Sequence, residues 1–182
     1  MRHAAATRRE LGIRTAFNLL GPLTNPAGTR RQLVGVPKPE LTELLARSLQ
    51  LLGSERAWVV HGADGIDELS TTGHTKVAEV RDGTIHTFYV HPRQFGVPTS
   101  VPGDLAGGDA AENADIIRRI FAGERGPRRE VVLLNAGASL LIAGRADSVR
   151  AGIDQAGQAI DSGSASRTLE QMVRVSQAEV VA

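Results

Sequence analysis

Two short apolar runs flank a helical-period stretch, and this pattern limits what the chain can fold into. Leu33-Val34-Gly35-Val36 and Ala57-Trp58-Val59-Val60 have the length of buried strands rather than of helices. Between them Pro39 suits the first turn of a helix. Leu41, Leu44, Leu45, Leu49 and Leu52 then recur at helical spacing, and Gly53 closes the element. Strands alternating with helices predict an α/β architecture. Further on, Lys76–Arg81 and Thr84–Val90 read as a hairpin across Asp82-Gly83, a favoured turn dipeptide. Residues 92–108 are rich in proline and glycine and read as a loop. Asp109-x-x-Glu112 is a capping box ahead of Ala114, Ile117, Ile120 and Phe121. Val131–Ala143 is nearly continuous apolar and long enough for a buried helix. Asp147 is the expected cap of a helix carrying Val149, Ile153, Ala156 and Ile160, and Thr168-x-x-Gln171 opens a last short helix. The helical C-terminal third is expected to pack over one sheet.

No linker, repeat or low-complexity tract divides the 182 residues, so one domain is expected. Aromatics make up only 3%, which leaves the core to aliphatic side chains. A net charge of +1 gives no bulk pull toward nucleic acid or membrane. The lack of cysteine excludes disulfides, thiol catalysis and zinc–thiolate sites, and is compatible with a cytoplasmic location. No apolar run reaches the roughly 20 residues needed to span a bilayer, and no secretion signal is evident. Residues 2–12 read as a basic helix ended by Gly12. It resembles an element already under way more than the start of a domain.

Three constellations are candidates for chemistry. In Val60-His61-Gly62-Ala63-Asp64-Gly65-Ile66-Asp67-Glu68-Leu69-Ser70 an apolar strand breaks into a loop with two glycines and three acids. A solvated acidic loop is the ordinary fate of such a pair, and spacing alone favours it. The context favours function, because α/β sheets place ligands in the loops beyond strand C-termini. Asp67 and Glu68 suit Mg²⁺, which takes one or two carboxylates plus phosphate oxygens, and Ser70, Thr71 and Thr72 are candidate extra oxygen ligands. Arg8 and Arg9 offer a guanidinium for a carboxylate, although on pattern alone a solvated basic helix face explains them better. Gly21-Pro22-Leu23-Thr24-Asn25-Pro26 is a stiff loop suited to walling a flat ligand, or an ordinary turn. The five histidines show no metal-ligand spacing, and phosphate-loop, dinucleotide and nucleophile-elbow motifs are missing. Gly107-Gly108-Asp109 opens a helix and is read as a cap rather than an anion site.

Taken together these segments resemble the anthranilate phosphoribosyltransferases, within the nucleoside phosphorylase-like phosphoribosyltransferases. The likeness rests on Arg8-Arg9-Glu10-Leu11-Gly12, on Thr15-Ala16-Phe17-Asn18-Leu19-Leu20-Gly21-Pro22-Leu23-Thr24-Asn25-Pro26 and on His61 through Ser70. Ala106-Gly107-Gly108-Asp109-Ala110 and Val132-Leu133-Leu134-Asn135-Ala136 support it. The resemblance implies a large α/β domain with helices packed around a central sheet, of which residues 1–182 form the C-terminal part. It implies transfer of the phosphoribosyl group from phosphoribosyl pyrophosphate to anthranilate, in tryptophan biosynthesis, with release of pyrophosphate. It implies Arg8 on the anthranilate carboxylate, Pro22 lining the anthranilate channel, and Asp67 with Glu68 as the Mg²⁺ pair. The family's N-terminal half, with its small helical domain and glycine-rich pyrophosphate loop, has no counterpart here. The chain is therefore expected to be a portion of the family's polypeptide. In the family that helical domain carries most of the homodimer contact, so the oligomeric state of this portion does not carry over.

Three other readings compete. A nucleic-acid-binding relative without transferase activity requires a basic surface, which the charge balance does not favour. A pyrimidine nucleoside phosphorylase-like enzyme shares the fold class, but Arg8 and Gly21–Pro26 favour anthranilate. An inactive remnant would expose apolar strand edges and aggregate.

Overall fold

The computed structural model describes residues 20–178. The helix expected over 2–12, and Arg8 and Arg9 with it, lie outside the described residues.

The elements are β1 (Arg31–Gly35), α1 (Leu41–Leu51), β2 (Arg56–Gly62), β3 (Thr75–Arg81), β4 (Thr84–Val90), α2 (Ala110–Phe121), α3 (Pro127–Ile142), α4 (Val149–Asp161) and α5 (Ser164–Gln177). The strands form one mixed sheet in the order β1-β2-β3-β4. β1 and β2 are parallel, with Arg31 opposite Arg56 and Gly35 opposite Val60. The remaining pairs are antiparallel. β1-α1-β2 is thus the crossover unit that a parallel pair requires.

Alternation along β2 divides the core into two layers. Ala57 and Val59 face α1 and meet Leu45, Ala46 and Leu49. Trp58 and Val60 face the other way, onto Leu133, Leu134, Ala138 and Ile142 of α3 and Val149, Ile153, Ala156 and Ile160 of α4. β2 is buried on both faces, which explains its unbroken apolar run. Each such Leu, Ile or Val stabilises the fold by about 1.5–3 kcal/mol. The hairpin forms as its turn residues require. Asp82 and Gly83 both take positive φ, 50° and 72°, the geometry of a two-residue turn matched to strand twist.

Asp109 caps α2, accepting from the N–H groups of Ala111 and Glu112, and Glu112 returns a carboxylate to the Asp109 N–H. Four expectations change in detail. Residues 92–108 contain two single-turn 3₁₀ helices, Pro92–Phe95 and Pro102–Leu105, each opened by a proline with preset φ. α3 begins at Pro127, four residues before the apolar run, because proline at its first position starts a helix without needing a donor. Ser148, not Asp147, caps α4, accepting from the Ala151 N–H at 3.1 Å. α5 begins at Ser164 rather than Thr168 and buries no residue. No described helix is long and apolar enough to cross a membrane.

Candidate functional site

The loop from Ala63 to His74 leaves the C-terminal end of β2 and returns into β3. Its path is set by backbone bonds: Gly62 N–H to Ile66 O at 2.9 Å, and Ala63 N–H to His74 O at 2.8 Å. It crosses directly above Gly35, at the end of β1. A Cβ at Gly35 would overlap the carbonyl oxygen of Asp67. His61 ties the two strand ends together, its Nδ1 lying 2.8 Å from Val36 O.

Most polar side chains in the loop are spent on holding it. Asp64 Oδ2 accepts from Ser70 Oγ at 3.0 Å and from Thr72 Oγ1 at 2.7 Å. Partial burial pushes the Asp64 carboxyl up. Hydrogen bonds from Thr72, Ser70 and the backbone N–H groups of Asp64 and Ile66 outweigh that and hold it below its usual range. Ser70 N–H donates to Thr75 Oγ1 at 2.9 Å, and Ser100 Oγ donates to Thr71 Oγ1 at 3.0 Å. Ser70 and Thr71 are buried. This corrects the expectation that Ser70, Thr71 and Thr72 serve as extra metal ligands: their oxygens brace the loop from inside.

Asp67 and Glu68 are different. Both are exposed, and among the described residues neither carboxylate has a salt-bridge partner. Burial of part of the side chain, and then the adjacent Asp67 charge, push the Glu68 carboxyl up. Two like charges held side by side without a counter-charge are a costly arrangement that a cation relieves. No group of three or more Asp, Glu or His among the described residues is placed to hold a metal. A cation held here would have two protein carboxylates and would complete its shell with water or phosphate oxygens. The donor set fits Mg²⁺, a hard ion that keeps several waters and is held by one or two carboxylates.

The structure does not bring Pro22 to this loop. Pro22 opens a 3₁₀ turn, Pro22–Thr24, and lines a cavity of about 170 Å³ with Leu23, Arg30, Gln32, Leu49 and Gly53. That cavity lies at the N-terminal ends of β1 and β2, whereas Asp67 lies over the C-terminal end of β1. The strand between them spans roughly 15 Å. Gly108 is not an anion site either. Its N–H is taken by Asn113 Oδ1 at 3.0 Å, and Asn113 returns a bond to Gly108 O at 2.9 Å.

Asn135 belongs to the segment Val132-Leu133-Leu134-Asn135-Ala136, and nothing in that segment by itself marks it as a site residue. In the structure the side chain reaches from α3 to the loop, and both backbone polar groups of Leu69 bond to it at 2.9 Å. A polar residue interrupting the apolar run Val131–Ala143 was the available signal.

Residues 1–166 match the glycosyl transferase family, a/b domain. The chain is 51% identical to the anthranilate phosphoribosyltransferase of Acetivibrio thermocellus over 173 residues, covering 95% of this chain and 50% of the relative. It superimposes on the crystal structure of anthranilate phosphoribosyltransferase from Thermus thermophilus with a TM-score of 0.87 and 42% identity, covering 98% of this chain and 53% of that one. The Saccharomyces cerevisiae enzyme, solved in complex with PRPP and Mg, gives a TM-score of 0.83 at 31% identity, covering 93% and 49%. The chain thus spans about half the length of the curated relatives it matches.

Proposed function

The chain belongs to the glycosyl transferase family by its a/b domain, and on that premise we propose that it is the C-terminal part of the phosphoribosyltransferase α/β domain of an anthranilate phosphoribosyltransferase. The whole enzyme transfers the phosphoribosyl group of phosphoribosyl pyrophosphate to anthranilate in tryptophan biosynthesis. The observation that carries this reading is the exposed and mutually repelling pair Asp67-Glu68, without a salt-bridge partner among the described residues and fixed over Gly35 at a strand end. It is joined by likeness along nearly the whole chain to enzymes of that name.

The reaction forms a bond between the anthranilate amine nitrogen and the anomeric carbon of the ribose. The bond from that carbon to the pyrophosphate oxygen breaks, and the amine loses a proton. Asp67 and Glu68 would hold Mg²⁺, which neutralises charge on the departing pyrophosphate when bound. The residues of this chain then have three tasks. The Asp64–Ser70–Thr72 network keeps the loop in one conformation, so no ordering cost falls on donor binding. Asp67 and Glu68 direct negative charge outward, toward the donor side of the strand end. Arg8, outside the described residues, is assigned to the anthranilate carboxylate on the strength of the resemblance, because a planar guanidinium matches a carboxylate in two-pronged fashion. Pro22 carries the same kind of assignment to the anthranilate channel. An aromatic amine is nucleophilic in its neutral form, so positioning carries more of the rate than a strong base does. The cytoplasm is the expected site of this chemistry.

Calorimetric titration of the chain with phosphoribosyl pyrophosphate, with and without Mg²⁺, tests the reading. Binding heat should depend on Mg²⁺ in the wild type and lose that dependence in Asp67→Asn, Glu68→Gln. In a protein of the relatives' full length, the same change should lower anthranilate consumption by about 100-fold or more. Equal Mg²⁺ dependence in both proteins overturns the assignment.

A further inference from the structure

Asn135 sits in the middle of α3, where asparagine is a poor helix former, between the buried residues Leu133, Leu134 and Ala138. Its side chain is only half-buried, yet its amide is fully used. Oδ1 accepts the Leu69 N–H at 2.9 Å. Nδ2 donates to Leu69 O at 2.9 Å and to Val131 O, one turn earlier in its own helix, at 2.9 Å. The third bond orients the amide, because only the nitrogen can face two carbonyl oxygens. Leu69 itself is fully buried in the same core layer as α3. The Leu69 N–H belongs to the peptide plane that joins it to Glu68. Gripping it fixes the backbone from which the Glu68 carboxylate projects.

We propose that Asn135 is a positioning residue for the acidic pair: it clamps the Glu68–Leu69 peptide to α3 and so holds Asp67 and Glu68 in a geometry that captures a divalent cation. This rests on the reading of Asp67 and Glu68 as metal ligands. The physical reason is preorganisation. Asp67 and Glu68 are adjacent carboxylates, like charges that repel each other, and a free loop would relax by turning them apart. Two of the braces on the loop act against that motion near the acidic pair. The Asp64 network holds it from within, and Asn135 ties it across 66 residues of sequence to the rigid helix. Groups that orient metal ligands typically contribute about 10–100-fold in affinity.

Mn²⁺ alone, added to the 182-residue chain and counted by electron paramagnetic resonance, provides the probe. Asn135→Ala should raise the Mn²⁺ dissociation constant about tenfold at a temperature where the variant is fully folded. Hydrogen exchange at the Leu69 amide should quicken in parallel. Ile160→Val, a buried substitution in α4, lowers stability without touching the loop and should leave the constant unchanged. Asn135→Asp fills the same space, keeps an acceptor for the Leu69 N–H and loses both donors. An added negative charge by itself would tighten cation binding, so weaker binding in Asn135→Asp reads the lost donors. This variant carries the test if Asn135→Ala does not fold. Asp67→Asn, Glu68→Gln separates the two claims. If it binds Mn²⁺ as the wild type does, the metal reading falls and the clamp's part in metal capture falls with it. If it loses Mn²⁺ while Asn135→Ala and Asn135→Asp retain wild-type affinity, the metal reading stands and the clamp is overturned.

Discussion

Two glutamates of this domain occupy opposite electrostatic situations, although one sheet supports both. Glu43, on α1, accepts from Lys76 Nζ and Thr42 Oγ1 through Oε2 and from Thr87 Oγ1 through Oε1. Lys76 lies 2.9 Å from Oε1. Burial pushes the Glu43 carboxyl up, but the hydrogen bonds from Lys76 and Thr42, its own backbone N–H and the Lys76 charge prevail and lower it to about 2. Glu68 has no such partner among the described residues, and burial and Asp67 move it the other way. The first carboxylate is consumed by the fold. The second is held by the fold and, among the described residues, left without a partner, which is the situation our proposed metal role for it requires. A local cost at such a site is sustained by stability elsewhere.

The largest effect should come from removing the space that lets the acidic loop cross β1. A methyl group at Gly35 meets a carbonyl oxygen rather than a flexible side-chain end, so the loop or the strand must move. Gly35→Ala should cost stability at the upper end of the roughly 1–3 kcal/mol range for overpacked sites, read by urea unfolding. It should also accelerate amide exchange from Gly62 to Leu69. The comparison breaks if Gly35→Ala leaves both stability and loop exchange at wild-type values, because the loop would then not be held where the strand end places it.

The contrast between the two glutamates was only half legible in the sequence. The sheet, its crossover helix and the hairpin were readable because each is coded locally: the β2 run by burial on both faces, α1 by its leucine spacing, the turn by Asp82-Gly83. The placement of Asp67 and Glu68 in an exposed loop beyond β2 was readable because two adjacent acids follow a strand. The partner of Glu43 was not, because Lys76 lies 33 residues away and only the register of β3 against β2, His61 opposite Lys76, turns it toward α1. Asn135 escaped for the same reason, since its target is 66 residues distant. Ser70 and Thr71 were misread because composition gives their oxygens no direction. The cap of α4 was misplaced by one residue, since Asp147 and Ser148 are both good caps and only backbone geometry chooses between them.

The Glu43 side of the comparison is tested through Lys76. Lys76→Met leaves the carboxylate without its cation but keeps an apolar stem under α1. More than a third of the Glu43 side chain reaches water, so screening limits the loss to about 1 kcal/mol at neutral pH. The pH dependence gives the sharper signature. A carboxyl whose folded pKa lies below its ordinary value of 4.5 adds stability that is fully present above that value. That stability is lost as pH falls toward about 2, where Glu43 protonates in the folded state. Melting temperatures of the wild type and Lys76→Met should therefore differ at pH 6 and converge between pH 4.5 and 2. Parallel curves across that interval would show that Lys76 acts by packing rather than by charge.

The smallest effect separates the two glutamates by sign. Neutralising Glu43 removes a favourable interaction, so Glu43→Gln should melt below the wild type. Neutralising Glu68 removes a repulsion with Asp67 and returns nothing to the solvent that the fold was using, so Glu68→Gln, in metal-free buffer, should melt at or slightly above it. The gain is bounded because exposed like charges are screened within a Debye length of about 8 Å at physiological salt. It should also shrink further as salt is added, while the deficit of Glu43→Gln, resting on direct hydrogen bonds, should persist. A Glu68→Gln protein that melts clearly below the wild type would mean that this carboxylate also serves the fold, and the distinction between a consumed and a reserved charge would fail at the residue on which it depends most.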